Sequence, residues 1–198
     1  MKKKVLVTRK LLKENEEKLK ELFDVKLNIQ DELYTSEKIL ELSKDCDGIL
    51  SAITDQINKD LIEKLSPTVK IIANFAVGFG NIDINAATKK NIVVTNTPEV
   101  LDDSTADISI LLLLGASRKV LEARRAAELQ NWKWSADFML GKQMSNKRLG
   151  ILGMGRIGRA VAKRARGFNM EIHYHNRNQL SKNLEEGAIY HKTVKDLF

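Results

Sequence analysis

Cysteine, histidine and proline are scarce in this sequence, which has one cysteine, three histidines and two prolines among its 198 residues. The lone Cys46 cannot form an internal disulfide, and the few Cys and His residues do not have the spacing of zinc ligands. These shortages favour a reducing, cytoplasmic setting. We also expect no metal site.

Long apolar runs are missing as well. The basic start at residues 1–4 leads into an apolar stretch that Arg9 and Lys10 interrupt, too short for a signal peptide, and no later run is long enough to cross a bilayer. A net charge of +7 raises the question of a nucleic-acid partner. Lysines and glutamates are interspersed, however, in segments such as 13–18, which is typical of solvated helix faces. We therefore expect neither a membrane nor a nucleic acid as partner.

Short apolar stretches alternate with helix-like stretches in the first half of the chain. The pattern predicts strands at 5–8, 24–29, 47–52, 69–75 and 92–95, and helices at 11–23, 35–42, 58–65 and 83–89. Thr35 and Asn58 are predicted helix caps. Such alternation is typical of a parallel sheet covered on both faces, so we predict an α/β domain over residues 1–101.

One long helix is predicted at residues 102–128, at the start of a second domain over residues 102–198. Its middle, residues 108–114, is apolar nearly all round. That composition is typical of a helix buried between layers or domains rather than lying on a surface.

The second domain contains a glycine turn, Gly153-Met154-Gly155-Arg156-Ile157-Gly158, which follows a strand and opens a helix. In a strand–turn–helix–strand unit this spacing is typical of dinucleotide binding. Gly153 would allow the tight turn, Gly155 the approach of a pyrophosphate, and Gly158 the close packing of helix on strand. The N–H groups at the helix start suit phosphates. The alternative is a purely structural glycine turn.

The end of the next strand would read the adenosine ribose, where an acidic residue about 20 positions beyond the glycines normally accepts from the hydroxyls. Here Asn176 stands 18 positions after Gly158, and Arg177 follows it. A neutral side chain does not repel a 2′-phosphate, and a guanidinium can pair with one. We therefore predict NADP or NAD as cofactor, with NADPH accepted. The alternative is that Arg177 is a solvated loop charge.

Four blocks, at residues 71–83, 93–98, 105–107 with 111–118, and 149–158, carry a family resemblance over nearly the whole chain. The sequence resembles the D-isomer-specific 2-hydroxyacid dehydrogenases, most closely their glyoxylate/hydroxypyruvate reductase branch. The resemblance implies a flavodoxin-like substrate-side domain at 1–101 and the first part of a Rossmann-type dinucleotide-binding domain at 102–198. It also implies a homodimer that reduces a small 2-oxo acid with NAD(P)H.

The resemblance assigns roles to particular residues. The N–H groups of the loop at Val77 and Gly78 would hold the substrate carboxylate, although the loop is alternatively a plain strand-to-helix turn. Thr105 would lie near the nicotinamide, or alternatively cap its helix. Arg156 and Ile157 would offer N–H groups to the pyrophosphate. Trp134 would reach toward the partner subunit's active site. Alternatively, Trp134 and Trp132 anchor their own segment, which we favour for Trp132.

The sequence also departs from the family pattern. Gly80 replaces the usual Asp, and the Arg and the Glu–His pair of the family match no position here. We therefore assign no catalytic residue, and we expect His173, His175 and His191 to be structural or solvent-facing. We expect this sequence to be an incomplete portion, inactive alone and with an exposed sheet edge that favours association. The alternative function is a non-catalytic nucleotide-binding fragment or an NAD(H)-sensing regulator from the same family.

Overall fold

The computed structural model describes residues 1–130 and 132–198. The chain forms two compact units, Met1–Val100 and Leu101–Phe198. Each unit is an α/β structure built on a parallel sheet, which confirms the predicted fold class. None of the helices in the described ranges has the length and apolar character needed to cross a membrane.

The first unit contains a five-stranded parallel sheet in the order β2-β1-β3-β4-β5. This is the flavodoxin-like order. Its strands are β1 (Lys4–Val7), β2 (Asp24–Lys26), β3 (Gly48–Ala52), β4 (Ile71–Phe75) and β5 (Val93–Thr95), and its helices are α1 (Lys13–Leu22), α2 (Ser36–Ser43), α3 (Lys59–Lys64) and α4 (Ile84–Lys89).

One face of this sheet carries the core. Because successive strand residues point to opposite faces, Leu6, Ile49 and Ile72 share one side and are each at most 1% exposed. Residues of α2, α3 and α4 cover them. On the other face, Phe75 and Val93 remain 60% and 58% exposed.

Side-chain caps fix where the helices of the first unit begin. Thr35 accepts from the Lys38 N–H at 3.3 Å and Asn58 from the Leu61 N–H at 3.0 Å, as predicted. Asp83 caps α4 in the same way, accepting from the Ala86 N–H at 2.9 Å. Each cap satisfies a donor that has no acceptor within its helix.

The second unit contains a three-stranded parallel sheet in the order β6-β7-β8. Helix α7 joins its first two strands and packs against α5. The strands are β6 (Arg148–Leu152), β7 (Glu171–His175) and β8 (Ile189–Tyr190), and the helices are α5 (Asp102–Ser117), α6 (Val120–Glu128), α7 (Arg156–Arg166), α8 (Lys182–Glu185) and α9 (Val194–Leu197).

The prediction of one helix over residues 102–128 is wrong, because the chain breaks between α5 and α6. Lys119 adopts the left-handed conformation with φ 53°. A later segment engages the end of α5: the Lys142 N–H donates to the Ser117 carbonyl at 2.7 Å. Gly141 approaches so closely that a Cβ there would lie 2.4 Å from the Ser117 oxygen. This contact, between residues far apart in the sequence, coincides with the end of α5 at Ser117.

The expectation that residues 108–114 are buried all round is also wrong for the described chain. Ile110, Leu113 and Leu114 pack against the core of the second unit. Leu111 and Leu112, in contrast, are 60% and 65% exposed. Only one face of α5 is covered within its own unit.

The break at Lys119 gives a stability prediction. A left-handed L-residue is strained by about 1–2 kcal/mol, whereas glycine is not, although its unfolded state is more flexible. We expect Lys119→Gly to raise the free energy of unfolding by about 0.5–1 kcal/mol, measured by urea denaturation. The control Lys119→Ala removes the same charge and should give no gain. Destabilisation by glycine would show that the helix is continuous in solution.

Candidate functional site

The three glycines of the turn between β6 and α7 have three different environments. Gly153 has φ +94°, a backbone conformation that L side chains rarely adopt. A Cβ at Gly158 would lie 2.5 Å from the Gly153 carbonyl oxygen, so the start of α7 lies directly on the turn. A Cβ at Gly155 would meet nothing within 4 Å. The turn therefore needs glycine at 153 and 158 for its own shape, whereas position 155 faces open space.

Helix α7 begins directly after Gly155, whose carbonyl accepts from the Arg159 N–H at 2.9 Å. The N–H groups of a first helical turn have no acceptor within the helix and form the positive end of its dipole. No acidic side chain stands in this first turn, which includes Ile157 and Gly158. An anion beside Gly155 would therefore meet donors and a favourable field.

Asn176, directly after β7, ties the glycine turn to the sheet. Its side-chain oxygen accepts from the Met154 N–H at 2.6 Å. One residue earlier, the His175 carbonyl accepts from the Gly153 N–H at 3.0 Å. Reasoning from the sequence gave Asn176 a role toward the ribose and missed this contact, which depends on the pairing of β6 with β7.

A cleft of about 540 Å³ joins the turn to the predicted specificity residues. Its lining includes Gly153, Gly155, Asn176 and Arg177. The Arg177 side chain is exposed. The structure thus brings the glycine turn, Asn176 and Arg177 to one surface, as a dinucleotide lying across the turn would require.

Tyr174 anchors the loop that carries Arg177, a role that the sequence reasoning also missed. Its buried hydroxyl donates to the Glu185 carboxylate at 2.7 Å and accepts from the Leu180 N–H at 3.0 Å. Burial raises the pKa of Tyr174, so the hydroxyl stays a donor. Hydrogen bonds from Gln179 and Tyr174 lower the pKa of Glu185 and keep it an acceptor. The sequence feature that could have indicated this role is a tyrosine on the apolar face of β7.

Ion pairs attach α7 to the start of α5. Arg164 contacts Asp103 at 3.1 Å and Asp107 at 2.5 Å, and Arg156 lies 3.5 Å from Asp102. Because these side chains are partly exposed, each pair contributes little alone. Together they align two helices that also pack against each other.

Thr105 lies in α5 and is half-buried. Its N–H donates to the Leu101 carbonyl at 2.9 Å, and its carbonyl accepts from the Ser109 hydroxyl at 2.7 Å. The alternative that Thr105 caps the helix is wrong, because Leu101 occupies the cap position and α5 has no side-chain cap.

The loop after β4 carries Val77, which is half-buried, and Gly78, which is exposed. Three of its successive carbonyls accept hydrogen bonds. The Ala76 oxygen accepts from the Thr97 N–H at 2.9 Å, the Val77 oxygen from Asn96 Nδ2 at 2.7 Å, and the Gly78 oxygen from Asn74 Nδ2 at 3.0 Å. In the part of the chain that the structure describes, the Val77 and Gly78 N–H groups have no protein acceptor.

The two tryptophans are both exposed. Trp134 is 83% exposed, and Trp132 is 56% exposed although its ring stacks on Phe138 with centroids 6.1 Å apart. Trp132 therefore packs within its own segment, whereas Trp134 presents its ring to solvent.

The three histidines form contacts along β7 and β8. His173 Nδ1 lies 2.7 Å from His191 Nε2, and its other ring nitrogen contacts Glu171. His175 Nδ1 lies 2.9 Å from the His191 carbonyl oxygen. Among the described residues, no group of three His, Cys, Asp or Glu side chains is arranged to hold a metal ion.

A family model described as "D-isomer specific 2-hydroxyacid dehydrogenase, catalytic domain" matches residues 5–189, nearly the whole chain. The chain belongs to this family. The match confirms the resemblance carried by the four sequence blocks.

Individual members of the 2-hydroxyacid dehydrogenase family show how far the similarity extends. A glyoxylate reductase of Korarchaeum cryptofilum is 46% identical over 178 residues, covering 88% of this chain and 53% of the relative. The crystal structure of a glyoxylate reductase from Paecilomyes thermophila is 34% identical with TM-score 0.83, covering 99% of this chain and 62% of its own. An NADPH-dependent glyoxylate/hydroxypyruvate reductase from Sinorhizobium meliloti, in complex with citrate, is 29% identical with TM-score 0.82, covering 98% and 60%.

The chain is shorter than these dehydrogenases. It spans about half of the Korarchaeum relative and about three fifths of the two solved structures.

The glycine environments predict that two similar substitutions in this dehydrogenase chain differ in their effects. We expect Gly158→Ala to lower the free energy of unfolding by about 1–3 kcal/mol, because the new Cβ collides with the Gly153 carbonyl. Gly155→Ala should leave stability unchanged, because its Cβ meets no protein atom. Thermal and urea denaturation of both variants measure the difference. Equal stability of the two would contradict the close packing of α7 on the turn.

Proposed function

We propose that this protein is an NAD(P)-dependent oxidoreductase that reduces a small 2-oxo acid, of the glyoxylate or hydroxypyruvate type, to the 2-hydroxy acid by hydride transfer. The observation that carries the proposal is the glycine turn of a 2-hydroxyacid dehydrogenase chain, with an unobstructed Gly155 on a cleft of about 540 Å³. The names of the similar proteins, glyoxylate reductase and glyoxylate/hydroxypyruvate reductase, support the substrate class.

The cofactor would lie across the glycine turn. Gly155, Arg156, Ile157 and Gly158 would face the pyrophosphate, since they form the positive end of α7. The adenosine end would extend into the cleft lined by Asn176 and Arg177. A neutral Asn176 adds no charge that would repel a 2′-phosphate, and the exposed Arg177 can pair with one. The proposed cofactor is therefore NADP or NAD, with NADPH accepted, and Thr105 is proposed to lie near its nicotinamide end.

The substrate carboxylate would bind the N–H groups of Val77 and Gly78. Both are donors without a protein acceptor in the described residues, and Gly78 is exposed. Backbone N–H groups in such a loop form a site for a small anion. The neighbouring Gly80 would offer no charge to oppose it.

Reduction of a 2-oxo acid needs a hydride at the carbonyl carbon and a proton at the oxygen. The nicotinamide supplies the hydride when bound. The residues of this chain hold the two reactants, and orientation of this kind accounts for a large share of catalysis. We assign no catalytic acid within residues 1–198, because the Arg and Glu–His pair of the family match no position in the sequence.

We also propose a cytoplasmic homodimer. Trp134 is 83% exposed, and α5 presents Leu111 and Leu112 to solvent. A second copy covering these residues would remove apolar surface from water. In this arrangement Trp134 would reach the partner subunit's site. No observation on the described residues favours the alternative of a non-catalytic binding fragment or regulator.

The experiment that tests the function is a reductase assay on the full-length purified protein with glyoxylate or hydroxypyruvate and NADPH or NADH. We expect consumption of reduced cofactor that depends on the 2-oxo acid, and NADPH binding that Gly155→Ala weakens about tenfold or more because its Cβ occupies the space of the pyrophosphate. The control is a denaturation measurement, in which Gly155→Ala should be as stable as the wild type. Nucleotide binding with no turnover of either acid would contradict the proposal.

Arg177 gives a separate prediction about the cofactor. We expect Arg177→Gln to raise the Kd of NADPH about tenfold to a hundredfold, because it removes charged hydrogen bonds to the 2′-phosphate. The Kd of NADH should stay unchanged. The matched control Lys182→Gln removes a charge from α8 outside the cleft lining and should affect neither cofactor. Equal weakening of NADPH and NADH binding would show that Arg177 does not read the 2′ position.

A further inference from the structure

Hydrogen bonds hold the loop at residues 76–78. A Cβ at Gly78 or Gly80 would meet nothing within 4 Å, and Phe79 between them is 52% exposed. Side-chain packing therefore does not fix Gly78, and Val77 before it is only half-buried. Thr97, Asn96 and Asn74 donate hydrogen bonds to the carbonyls of Ala76, Val77 and Gly78, and the Ala76 N–H donates to the Asn74 carbonyl at 2.8 Å.

Each of these bonds also sets the direction of an N–H group. In a planar trans peptide the C=O of one residue and the N–H of the next point in opposite directions, and none of the described peptide bonds is cis. The bond from Asn96 to the Val77 oxygen therefore turns the Gly78 N–H the opposite way. By the same geometry, Thr97 orients the Val77 N–H, and Asn74 orients the Phe79 N–H.

We propose that Asn96 is a positioning residue for the substrate carboxylate, and that Asn74 braces the same loop through the Gly78 carbonyl. By holding the Val77 carbonyl, Asn96 points the Gly78 N–H away from the tether, where the carboxylate can accept from it. This inference rests on the proposed function, since it concerns the site at Val77 and Gly78. Neither asparagine was assigned a role from the sequence.

The orientation of Asn74 is set by a buried network. Asn74 is 2% exposed, and its side-chain oxygen accepts from the Ser51 hydroxyl at 3.1 Å. Its Nδ2 also donates to Asn81 at 3.1 Å, and Asn81 in turn donates to the Ala52 and Asp55 carbonyls at 3.1 and 3.0 Å. With the oxygen already engaged, the amide N–H₂ of Asn74 is directed to Gly78. Loss of a hydrogen-bond partner of such a buried amide strongly destabilises the folded protein.

Asn96 is the better residue to test, because it is half-buried and its side chain donates to the Val77 oxygen outside the Asn74 network. Asn96→Ala removes the tether. Asn96→Asp keeps the shape but places an acceptor against the Val77 carbonyl, so the two oxygens repel. The control is Asn85→Ala, which removes an exposed asparagine from α4.

The test uses the full-length protein with oxalate as the carboxylate probe. Titrations followed by amide resonances of ¹⁵N-labelled protein measure the Kd of oxalate, and assays measure KM and kcat for glyoxylate. We expect Asn96→Ala to raise the oxalate Kd and the glyoxylate KM about tenfold, the effect of one lost hydrogen bond, and Asn96→Asp to raise them further. The NADPH Kd and kcat should stay unchanged, because the Gly78 N–H that Asn96 orients would bind the carboxylate equally in the ground state and the transition state. Asn85→Ala should match the wild type.

The outcomes separate this inference from the proposed function. If the wild type binds oxalate through Val77 and Gly78 and reduces glyoxylate, but Asn96→Ala and Asn96→Asp do the same with unchanged constants, the positioning role is overturned and the function stands. If the variants lose oxalate, NADPH binding and thermal stability together, Asn96 is merely structural and the positioning role is again overturned. If the wild type neither binds oxalate nor reduces either 2-oxo acid, the proposed function fails, and the positioning role fails with it.

Discussion

The second unit depends on one backbone contact, the approach of Gly158 to the carbonyl of Gly153. A Cβ at Gly158 would lie 2.5 Å from that oxygen. Because a side chain is excluded there, α7 can start directly on the end of β6 and direct its first N–H groups over the turn. Asn176, Tyr174 and the ion pairs of α7 with α5 then hold the surrounding segments in place. A residue with a side chain at position 158 would displace α7. The groups that form these contacts would then move apart.

The first unit also holds a loop in a fixed conformation, but it does so through hydrogen bonds from side chains. Nothing packs closely at Gly78 in its loop, and hydrogen bonds from the side chains of Asn96 and Asn74 supply the order instead. Asn74 and Asn81 lie where the carboxyl ends of β3 and β4 meet, the edge at which parallel sheets commonly bind ligands. A polar network in this position is stable only when every member is satisfied. The second unit thus orders its turn through a position that admits no side chain, whereas the first unit orders its loop through hydrogen bonds from asparagine side chains.

Local patterns in the sequence predicted much of the fold. The strands, the caps at Thr35 and Asn58, and the position of the glycine turn follow from residues close to one another in the chain. The errors came from contacts between distant residues. The end of α5 at Ser117 accompanies the approach of Gly141, and the Asn176 contact depends on the pairing of β6 with β7. Thr105 was a reasonable cap by residue type, but Leu101 occupies the cap position. The exposure of Leu111 and Leu112 could not be read from their hydrophobicity.

The contact between Asn176 and Met154 restricts which residues natural variation can place at position 176. Its side chain must be short and must carry an acceptor oxygen that reaches the Met154 N–H at 2.6 Å. Asparagine and aspartate both meet this requirement, and their codons differ by a single base. One mutation would therefore add a negative charge at the proposed ribose end of the cleft while the turn keeps its tether. If position 176 reads the ribose as proposed, cofactor preference would change more readily through this position than through the glycines beside it.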